Sequence, residues 1–596
     1  MRTLSGRDWI LLIVVNRLPQ EFVFNGTDDI PLITDGFAAG GNPVRVVLGF
    51  APAPGTVLTM VNNTSLGFIY GRFGNLAQGQ RVTLTYSGTS YDFIANYHGG
   101  TGNDLVLQWA DTQLLAWGGN GFGQLGDHTT TRRLLPTPVD SAGVLADKAV
   151  LAVAGGYLHS LALCADGTLA AWGYNAFGQL GNDSAVPSSV PVAVDRTGAL
   201  AGKTVVAVAA GPFHNLALCS DGTVAAWGYN NYGQLGDGGT VTRLAPVRVN
   251  PVGALAGKQV VAVAAGSYYS FALCDDGTVA AWGYNDEGEL GNSGSTTSLA
   301  PVAVTTTGAL SGKRVAALAT GQYHTLALCT DGTLVAWGYN NRGQLGNNST
   351  TSSSQPVAIG SFGALAGKTP VGIGAGAYHS LARCADGTVA AWGANNLGQL
   401  GVAGTVPSPV PVAVSLAAAS QIAAGGSHSL ARGTDGTLFA WGDNADGQLG
   451  DNSIISRAVP AAVDFAAVAA GTRVMAVASS SAARHNLALV ALEIPTGKAM
   501  RQAAATAAAG DDLLGMAFGS DTGQFPQPQR VGDDFVIRFT QPAGVAGIRY
   551  GAEWSATLLP GSWLDVPDTG VDGEHRFAIP AADLPQGFLR LKVTRE

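Results

Sequence analysis

A chain of 596 residues is too long for one ordinary core, so several domains or a repeat architecture are expected. Charged residues make up only 12% and glycine is abundant at 83 residues, a composition of tightly packed, turn-rich β structure. The formal net charge of −9 argues against a broad electrostatic grip on nucleic acid or anionic lipid, and no nucleic-acid partner is expected.

Near the start, Trp9 to Val15 (WILLIVV) is apolar but only seven residues long, and it runs into Asn16-Arg17 without a small-residue cleavage pattern. It is too short to span a membrane and poor as a secretion signal, and reads as a buried strand. Residues 1–110 are β-rich: VRVVLGF, TVLTMV, RVTLTY, YDFIANY and DLVLQW alternate with Gly, Asn and Pro turns. Within them Gly99 to Leu107, GGTGNDLVL, fits the nonapeptide of calcium-binding β-rolls. Such ligation needs stacked copies and only one is present, so a glycine turn entering a strand is the better reading. Asp104 is left as a weak metal candidate, and no cofactor is expected.

From residue 111 to 490 one unit recurs, as in HSLALCADGTLAAWGYNAFGQLG from His159 to Gly181. Trp117, Trp172, Trp227, Trp282, Trp337, Trp392 and Trp441 mark its copies, five intervals of 55 residues and a last one of 49. A period of this size signals a solenoid, propeller or array. Each unit is read as four short strands: an inner run such as VVAVAA at Val205 to Ala210, then HNLALC, then GTVAAWG, then an outer run such as Pro246 to Val249. Asp-Gly joins strands two and three at 166-167 and five later positions, and a tight hairpin with both residues at positive φ is expected there. The five cysteines, Cys164, Cys219, Cys274, Cys329 and Cys384, share one strand position and read as buried small residues, not as a disulfide or metal framework.

His159, His214, His324, His379, His428 and His485 also share one position, with Tyr269 in the remaining unit. No second ligand follows at metal spacing, so these histidines are expected to satisfy backbone groups where units meet. Gln124, Gln179, Gln234, Gln344, Gln399 and Gln448 are expected to be internal locks of the same kind, with Glu289 as the exception. The first copy begins at its third strand, Gln113 to Gly118, and the last complete unit is followed by an orphan pair, Val474 to Ala478 and His485 to Val490. The orphan pair supplies what the first copy lacks. The expected fold is all-β, a seven-bladed β-propeller sealed by chain start and chain end.

The AAGxxHSLAL, DGTVxAWG and NxxGQLG motifs resemble the regulator of chromosome condensation repeat family, over about two-thirds of the chain. The resemblance implies a seven-bladed propeller that binds proteins through loops on one face, as in a guanine-nucleotide exchange factor, ubiquitin-ligase modules and bacterial β-lactamase inhibitors. Catalysis by propeller side chains is not the family theme, and no nucleophile elbow, P-loop or HExxH is found, so no enzymatic activity is expected. Function is therefore sought where copies differ. The residue before the repeat histidine runs Leu158, Phe213, Tyr268, Tyr323, Tyr378, Ser427, Arg484. In the resembling inhibitors this loop faces the partner, so Leu158, Phe213, Tyr268, Tyr323, Tyr378 and Arg484 are the candidate partner-binding residues. A second variable set, Phe122, Phe177, Tyr232, Glu287, Arg342, Leu397 and Asp446, is the weaker candidate, placed toward the rim or the opposite face.

Gly55 to Trp109 resembles the closing rungs of passenger-type β-helices in bacterial surface proteins. Residues 491–515 read as an alanine-rich linker or short helix, and 516–596 as a small β-sandwich resembling immunoglobulin-like or fibronectin-like modules, with Trp554 and Trp563 as core residues rather than sugar platforms. The sequence thus predicts a monomeric, non-enzymatic protein-binding scaffold, bacterial and either secreted or on the cell surface, without a membrane span. Nucleotide exchange on a small GTPase is the alternative function, and a cytoplasmic location the alternative to export.

Overall fold

The computed structural model describes residues 20–100, 102–466, 468 and 472–492, together with backbone strands at 529–531, 534–540, 548–555, 564–566, 574–580 and 588–595. The apolar run at Trp9 to Val15, the alanine-rich segment and Trp563 lie outside the described residues. The chain divides into two compact units, 1–493 and 494–596.

The first unit opens with β1 (Gln20–Phe24), β2 (Leu32–Thr34), β3 (Val44–Leu48), β4 (Val57–Asn63), β5 (Arg81–Tyr86), β6 (Thr89–Gly99) and β7 (Asp104–Trp109). β1 pairs with β3, and β2 with β4, in parallel. Parallel pairing of neighbouring runs is how stacked rungs associate, but β4, β7, β6 and β5 continue the larger sheet antiparallel. Phe22, Phe24, Leu58, Met60, Phe93 and Trp109 fill the core of this module. Asp104 is buried in it, and its Oδ1 accepts the Asn63 N–H at 2.8 Å. Among the described residues no group of three His, Cys, Asp or Glu side chains is placed to hold a metal ion, and no helix is long and apolar enough to cross a membrane.

The chain then enters β8 (Thr112–Gly118) and β9 (Arg133–Pro138), followed by a four-stranded meander of β10 (Val150–Gly155), β11 (His159–Cys164), β12 (Leu169–Gly173) and β13 (Ser188–Ala193). Five more sheets of the same order span 205–248, 260–303, 315–358, 370–413 and 419–462. The next two strands, Arg473–Ala478 and His485–Ala491, pair with β8 and β9 to make another four-stranded sheet. In it His485 faces Gly118, Asn486 faces Trp117, and the register runs unbroken to Ala491 against Thr112. The order read from the sequence holds, with small shifts at strand ends; the largest is the outer strand of the 205–248 sheet, Arg243–Arg248, which starts three residues before the expected Pro246.

Second and third strands are buried on both faces, which is why their sequences are apolar almost without interruption. Each sheet packs on the next through a cluster centred on one tryptophan. Leu161, Ala171 and Leu180 meet Ala217 and Trp227, for example. The sheet shared by the chain ends packs both on the 419–462 sheet, through Trp117, Leu430 and Ala440, and on the 150–193 sheet, through Leu487, Ala162 and Trp172.

The Asp-Gly hairpins differ from expectation. Gly167 has a φ of +80°, but none of the six aspartates takes a positive φ. Gly167 donates its N–H to the Cys164 carbonyl and Cys164 to that of Thr168, both at 2.9 Å, so the loop is a turn closed by one left-handed glycine. The aspartate serves otherwise: Asp166 Oδ1 accepts the Thr168 N–H at 2.9 Å and its other oxygen pairs with Lys148. The same lysine–aspartate pair recurs as Lys203–Asp221, Lys258–Asp276, Lys313–Asp331 and Lys368–Asp386. The five cysteines are free and buried, and burial pushes the thiols up, that of Cys164 to about 12.

In the second unit the described strands form two antiparallel three-stranded sheets, 529–531 with 534–540 and 574–580, and 564–566 with 548–555 and 588–595. Trp554 lies in the strand Ile548–Ser555.

Candidate protein-binding face

The repeated polar residues build the seams between sheets. Asn215 Oδ1 can only accept, so His159 Nε2, 2.8 Å away in the neighbouring sheet, carries the proton. The Nε2 atoms of His214, His324 and His379 reach the hydroxyls of Ser270, Ser380 and Ser429 in the same way. His428 reaches Asn486, and His485 reaches Ser160. Each acceptor passes the chain of bonds back, since Ser160 Oγ donates to the Gln124 carbonyl at 2.8 Å and Asn215 Nδ2 to that of Gln179. The same carbonyls accept the indole N–H of Trp172 at 2.9 Å and Trp227 at 3.0 Å. A Cβ on Gly181 would lie 2.7 Å from the Trp227 indole nitrogen, so the last glycine of the GQLG motif admits the ring. The histidines thus bridge neighbouring sheets, but through side chains and not through the backbone groups expected. The glutamines also work through two atoms, the carbonyl just described and Oε1, which accepts the N–H two residues earlier, as Gln179 does from Phe177.

These seam residues place the loops that follow them at one end of the sheets. Because the second and third strands run antiparallel, the residue before the histidine and the residue after Trp-Gly emerge together, as Tyr174 N–H donating to the Leu158 carbonyl shows. Asn175 then folds the NxxGQLG loop back by accepting the Leu180 N–H on Oδ1 and donating Nδ2 to the Ser184 and Val186 carbonyls.

Twelve aromatic rings join into one network at this end. Phe122 contacts Tyr174 at 4.8 Å, Tyr174 contacts Phe177, and Phe177 contacts Phe213 and Tyr229. Phe213 also meets Tyr157, and stacks on Tyr268 at 5.4 Å with an interplanar angle of 14°. Tyr232 and Tyr284 close on Tyr268, and the line continues through Tyr323 and Tyr339 to Tyr378. Phe213, Tyr268, Tyr323 and Tyr378 are half-buried and Tyr232 is 37% exposed. Burial raises the Tyr268 hydroxyl to about 12 and those of Tyr323 and Tyr378 above the usual tyrosine range, so these three phenols stay protonated.

Of the sequence-derived candidates, Phe213, Tyr268, Tyr323 and Tyr378 belong to this network. Leu158 sits beside it without a ring, Ser427 lies outside it, and Arg484 is exposed and pairs with Asp446 at 3.3 Å. The second variable set is not on the opposite face. Phe122, Phe177 and Tyr232 touch rings of the first set or its neighbours, because the NxxGQLG loop folds back over the strand ends. The members that the sequence reading missed are Tyr157, two residues before His159, and Tyr174, Tyr229, Tyr284 and Tyr339, which follow Trp-Gly and bridge one unit's ring to the next. The apparent constancy of the last four hid them, although Gly119, Ala394 and Asp443 at that position mark where the aromatic arc stops.

The opposite end, where the Asp-Gly hairpins lie, is occupied by the N-terminal module. Phe68 packs on the buried propeller cluster that includes Leu218 and Val260, Gly79 lies against the Ala165 carbonyl, and Trp109 donates its indole N–H to the Leu492 carbonyl at 3.2 Å.

Comparison with known proteins agrees with this architecture. The RCC1-like domain profile matches residues 193–493, and the regulator of chromosome condensation (RCC1) repeat profile matches 111–163 and 166–218. The chain belongs to the regulator of chromosome condensation repeat family. Its relatives include the ultraviolet-B receptor UVR8 of Arabidopsis thaliana, 30% identical over 317 residues that cover 52% of this chain and 68% of the receptor. The human E3 ubiquitin-protein ligase HERC2 is 34% identical over 299 residues, 50% of this chain but only 6% of the ligase. Among solved structures, Prp20p of Saccharomyces cerevisiae has a TM-score of 0.57 at 23% identity, covering 66% of this chain and 95% of that one. Human WBSCR16 gives 0.56 at 24%, covering 64% and 100%. At these identities the structural likenesses establish the fold, an RCC1-type propeller. All four of these proteins are eukaryotic, so they carry no argument for a bacterial source.

Proposed function

We propose that this member of the RCC1 repeat family is a non-enzymatic scaffold that binds a protein partner through its aromatic end. The seams support reading the seven four-stranded sheets of the described residues as a closed seven-bladed propeller, since the same histidine-to-serine contact that links internal sheets links His485 to Ser160. One observation carries the choice of face: a continuous aromatic network lies at one end, while the N-terminal module packs on the other. Exposed aromatic surface is unusual on a monomer and favours interaction sites. Parallel pairing of β1 with β3 and of β2 with β4 supports the resemblance to passenger-type rungs, and with it export to the cell exterior, which a cell-fractionation experiment tests.

The test is to replace Phe213, Tyr268, Tyr323 and Tyr378 together by alanine and measure affinity for an identified partner. The expected result is a folded protein with binding weakened at least tenfold, while Lys313→Ala at the hairpin end leaves binding unchanged. Equal affinity of the quadruple variant removes the aromatic end from the function. Accelerated nucleotide release from a small GTPase would instead support the exchange-factor alternative.

A further inference from the structure

One unit departs from the others at several repeat positions at once. Its loop reads Tyr284-Asn-Asp286-Glu287-Gly-Glu289, with three carboxylates in four residues. The six other units hold glutamine where Glu289 stands. Glu289 is fully buried; its Oε2 accepts the Glu287 N–H at 3.0 Å, and its Oε1 has no hydrogen-bond partner. The glutamines Gln179, Gln234 and Gln344 leave Nε2 unpartnered at the same place, but theirs is a neutral amide; a buried carboxyl that ionises costs more, and such departures are expected where function requires them.

Asp286 and Glu287 are exposed at the edge of the same loop. Glu287 accepts the Ser352 hydroxyl at 2.9 Å, and neither residue has a cationic partner among the described residues. Elsewhere on this chain comparable loop carboxylates are neutralised, Asp127 by Arg133, Asp237 by Arg243 and Asp451 by Arg457. The uncompensated pair adjoins the centre of the aromatic network. Tyr284 lies 5.1 Å from Tyr232 and 6.2 Å from Tyr323, ring to ring, and Tyr232 lies 5.1 Å from Tyr268. Interplanar angles of 57° to 76° among these four tilt their faces in different directions instead of closing them into a stack. Burial raises the phenols of Tyr284 and Tyr323 above the usual tyrosine range, and the neighbouring carboxylates, Asp286 first at Tyr284, push them the same way.

Aromatic faces carry negative potential and attract cations, and carboxylates at their edge strengthen that attraction. A guanidinium both stacks on a ring and forks to a carboxylate, which an ammonium cannot do. We infer that Tyr232, Tyr268, Tyr284 and Tyr323, edged by Asp286 and Glu287, seat arginine side chains of a basic segment in the protein partner. The inference rests on the reading that the partner docks at the aromatic end, and gives that partner its chemistry.

Calorimetric titration of the intact protein with an octapeptide of alternating glycine and arginine, and with its lysine and glutamate counterparts, tests it at physiological salt. The arginine peptide is expected to bind, the lysine peptide several-fold more weakly, and the glutamate peptide not at all. The exposed substitutions Asp286→Asn and Glu287→Gln together, and Tyr232→Ala separately, are each expected to weaken arginine-peptide binding about tenfold or more without moving the melting temperature, a change of about 1.4 kcal/mol per decade. Absence of binding, equal affinity for the arginine and lysine peptides, or full affinity in the Asp286/Glu287 variant overturns the inference. A protein partner that binds this charge variant normally but not the quadruple aromatic variant would sink the arginine site and keep the docking face. Normal binding to both variants would sink the two together.

Discussion

Tyr269 donates its hydroxyl across a seam to the backbone carbonyl of His324 at 2.7 Å, with the Gly321 carbonyl also in reach at 3.0 Å. At the six other seams a histidine stops short, at a serine or asparagine side chain. The longer phenol passes that point and lands on the main chain, and the residue it passes is Thr325, the one threonine at the acceptor position. Tyr269 is completely buried, so removing its hydroxyl leaves two carbonyls with one bond fewer in a dry seam. Tyr269→Phe is therefore expected to lower stability by about 1–3 kcal/mol, read from the urea midpoint. A loss below about 0.5 kcal/mol would show that this seam does not depend on the bond.

Glu289 gives the same unit a pH signature. Burial holds its carboxyl up at about 7, whereas in an unfolded chain it titrates near the ordinary glutamate value. The unfolded state therefore releases the proton first as pH rises. Relative to glutamine, the residue costs nothing below the unfolded value and progressively more up to about pH 7, where the penalty levels off. Glu289→Gln is expected to raise stability at pH 8 by about 3 kcal/mol at most and to leave it unchanged at pH 4. A gain of equal size at both pH values would point to packing instead of charge.

The histidines act in the opposite direction and outnumber it. All six are fully buried, and burial lowers their basicity, to about 4 for His159 and about 3 for His214, His324, His379 and His485. His428 moves the same way. With Nε2–H engaged, a second proton would have to enter on Nδ1, which is buried without a partner in all six. The sign follows: an unfolded histidine takes up a proton near pH 6.5 and a folded one does not, so stability falls as pH drops from about 6.5 toward 4. The loss is on the order of 2 kcal/mol per histidine at pH 5, and six approach the whole stability of an ordinary domain. Urea midpoints measured from pH 7.5 to 5 are expected to fall steeply, with several protons taken up on unfolding; uptake of one proton or fewer would mean that the histidines are charged in the fold.

The scaffold was legible because its cause is local and repeated. Tryptophan spacing, the orphan pair at 474–490 and the apolar strands translate directly into sheets, and the pairing of His485 with Gly118 follows from them. What the sequence hid depends on contacts between units. The acceptor of His159 is Asn215, 56 positions away, and only the joint exception of Tyr269 and Thr325 hints that the two positions touch. The aromatic network was half legible. Variation drew attention to Phe213 and Tyr268, but Tyr229, which joins Phe177 to Tyr268, looked like part of the constant frame. Turn type was misread at Asp166, because the aspartate is kept for its bonds to Thr168 and Lys148 and not for a positive φ.

Pairing of the two chain ends of the repeat region makes stability depend on a short late segment. Strands Arg473–Ala478 and His485–Ala491 cover β8, and Leu487, Leu489, Ala488 and Val490 lie in the two clusters on either side. A chain ending at residue 472 loses both strands and exposes an apolar edge that pairs with other copies. It is expected to bind hydrophobic dye, aggregate and lack a cooperative melt, whereas a chain ending at 493 keeps the melting temperature of the first unit. A cooperative melt at the native temperature for the shorter chain would refute the dependence on that sheet.

Docking of the N-terminal module on the hairpin end rests on a close backbone approach at Gly79. Its φ is +75°, its N–H donates to the Ala95 carbonyl at 2.8 Å, and an added Cβ would lie 2.0 Å from the Ala165 carbonyl oxygen. No flexible side chain is available to yield there, because the obstacle is the hairpin backbone that the Cys164–Thr168 and Cys164–Gly167 bonds hold in place. Gly79→Ala therefore both strains the left-handed backbone and pushes the module off the hairpin. The loss of contact spreads to Phe68, which packs on the buried propeller cluster that includes Leu218 and Val260. Expected results are faster hydrogen exchange at the β7–β8 junction and in residues 64–80, earlier proteolysis there, and an unchanged exchange rate in the strands His324–Cys329 and Leu334–Gly338, which lie within the propeller sheets. Uniformly slow exchange in the variant would mean that the module is held by its other contacts, Ala491 and Met475 in its core and the Trp109–Leu492 bond at 3.2 Å, and that the hairpin contact is incidental.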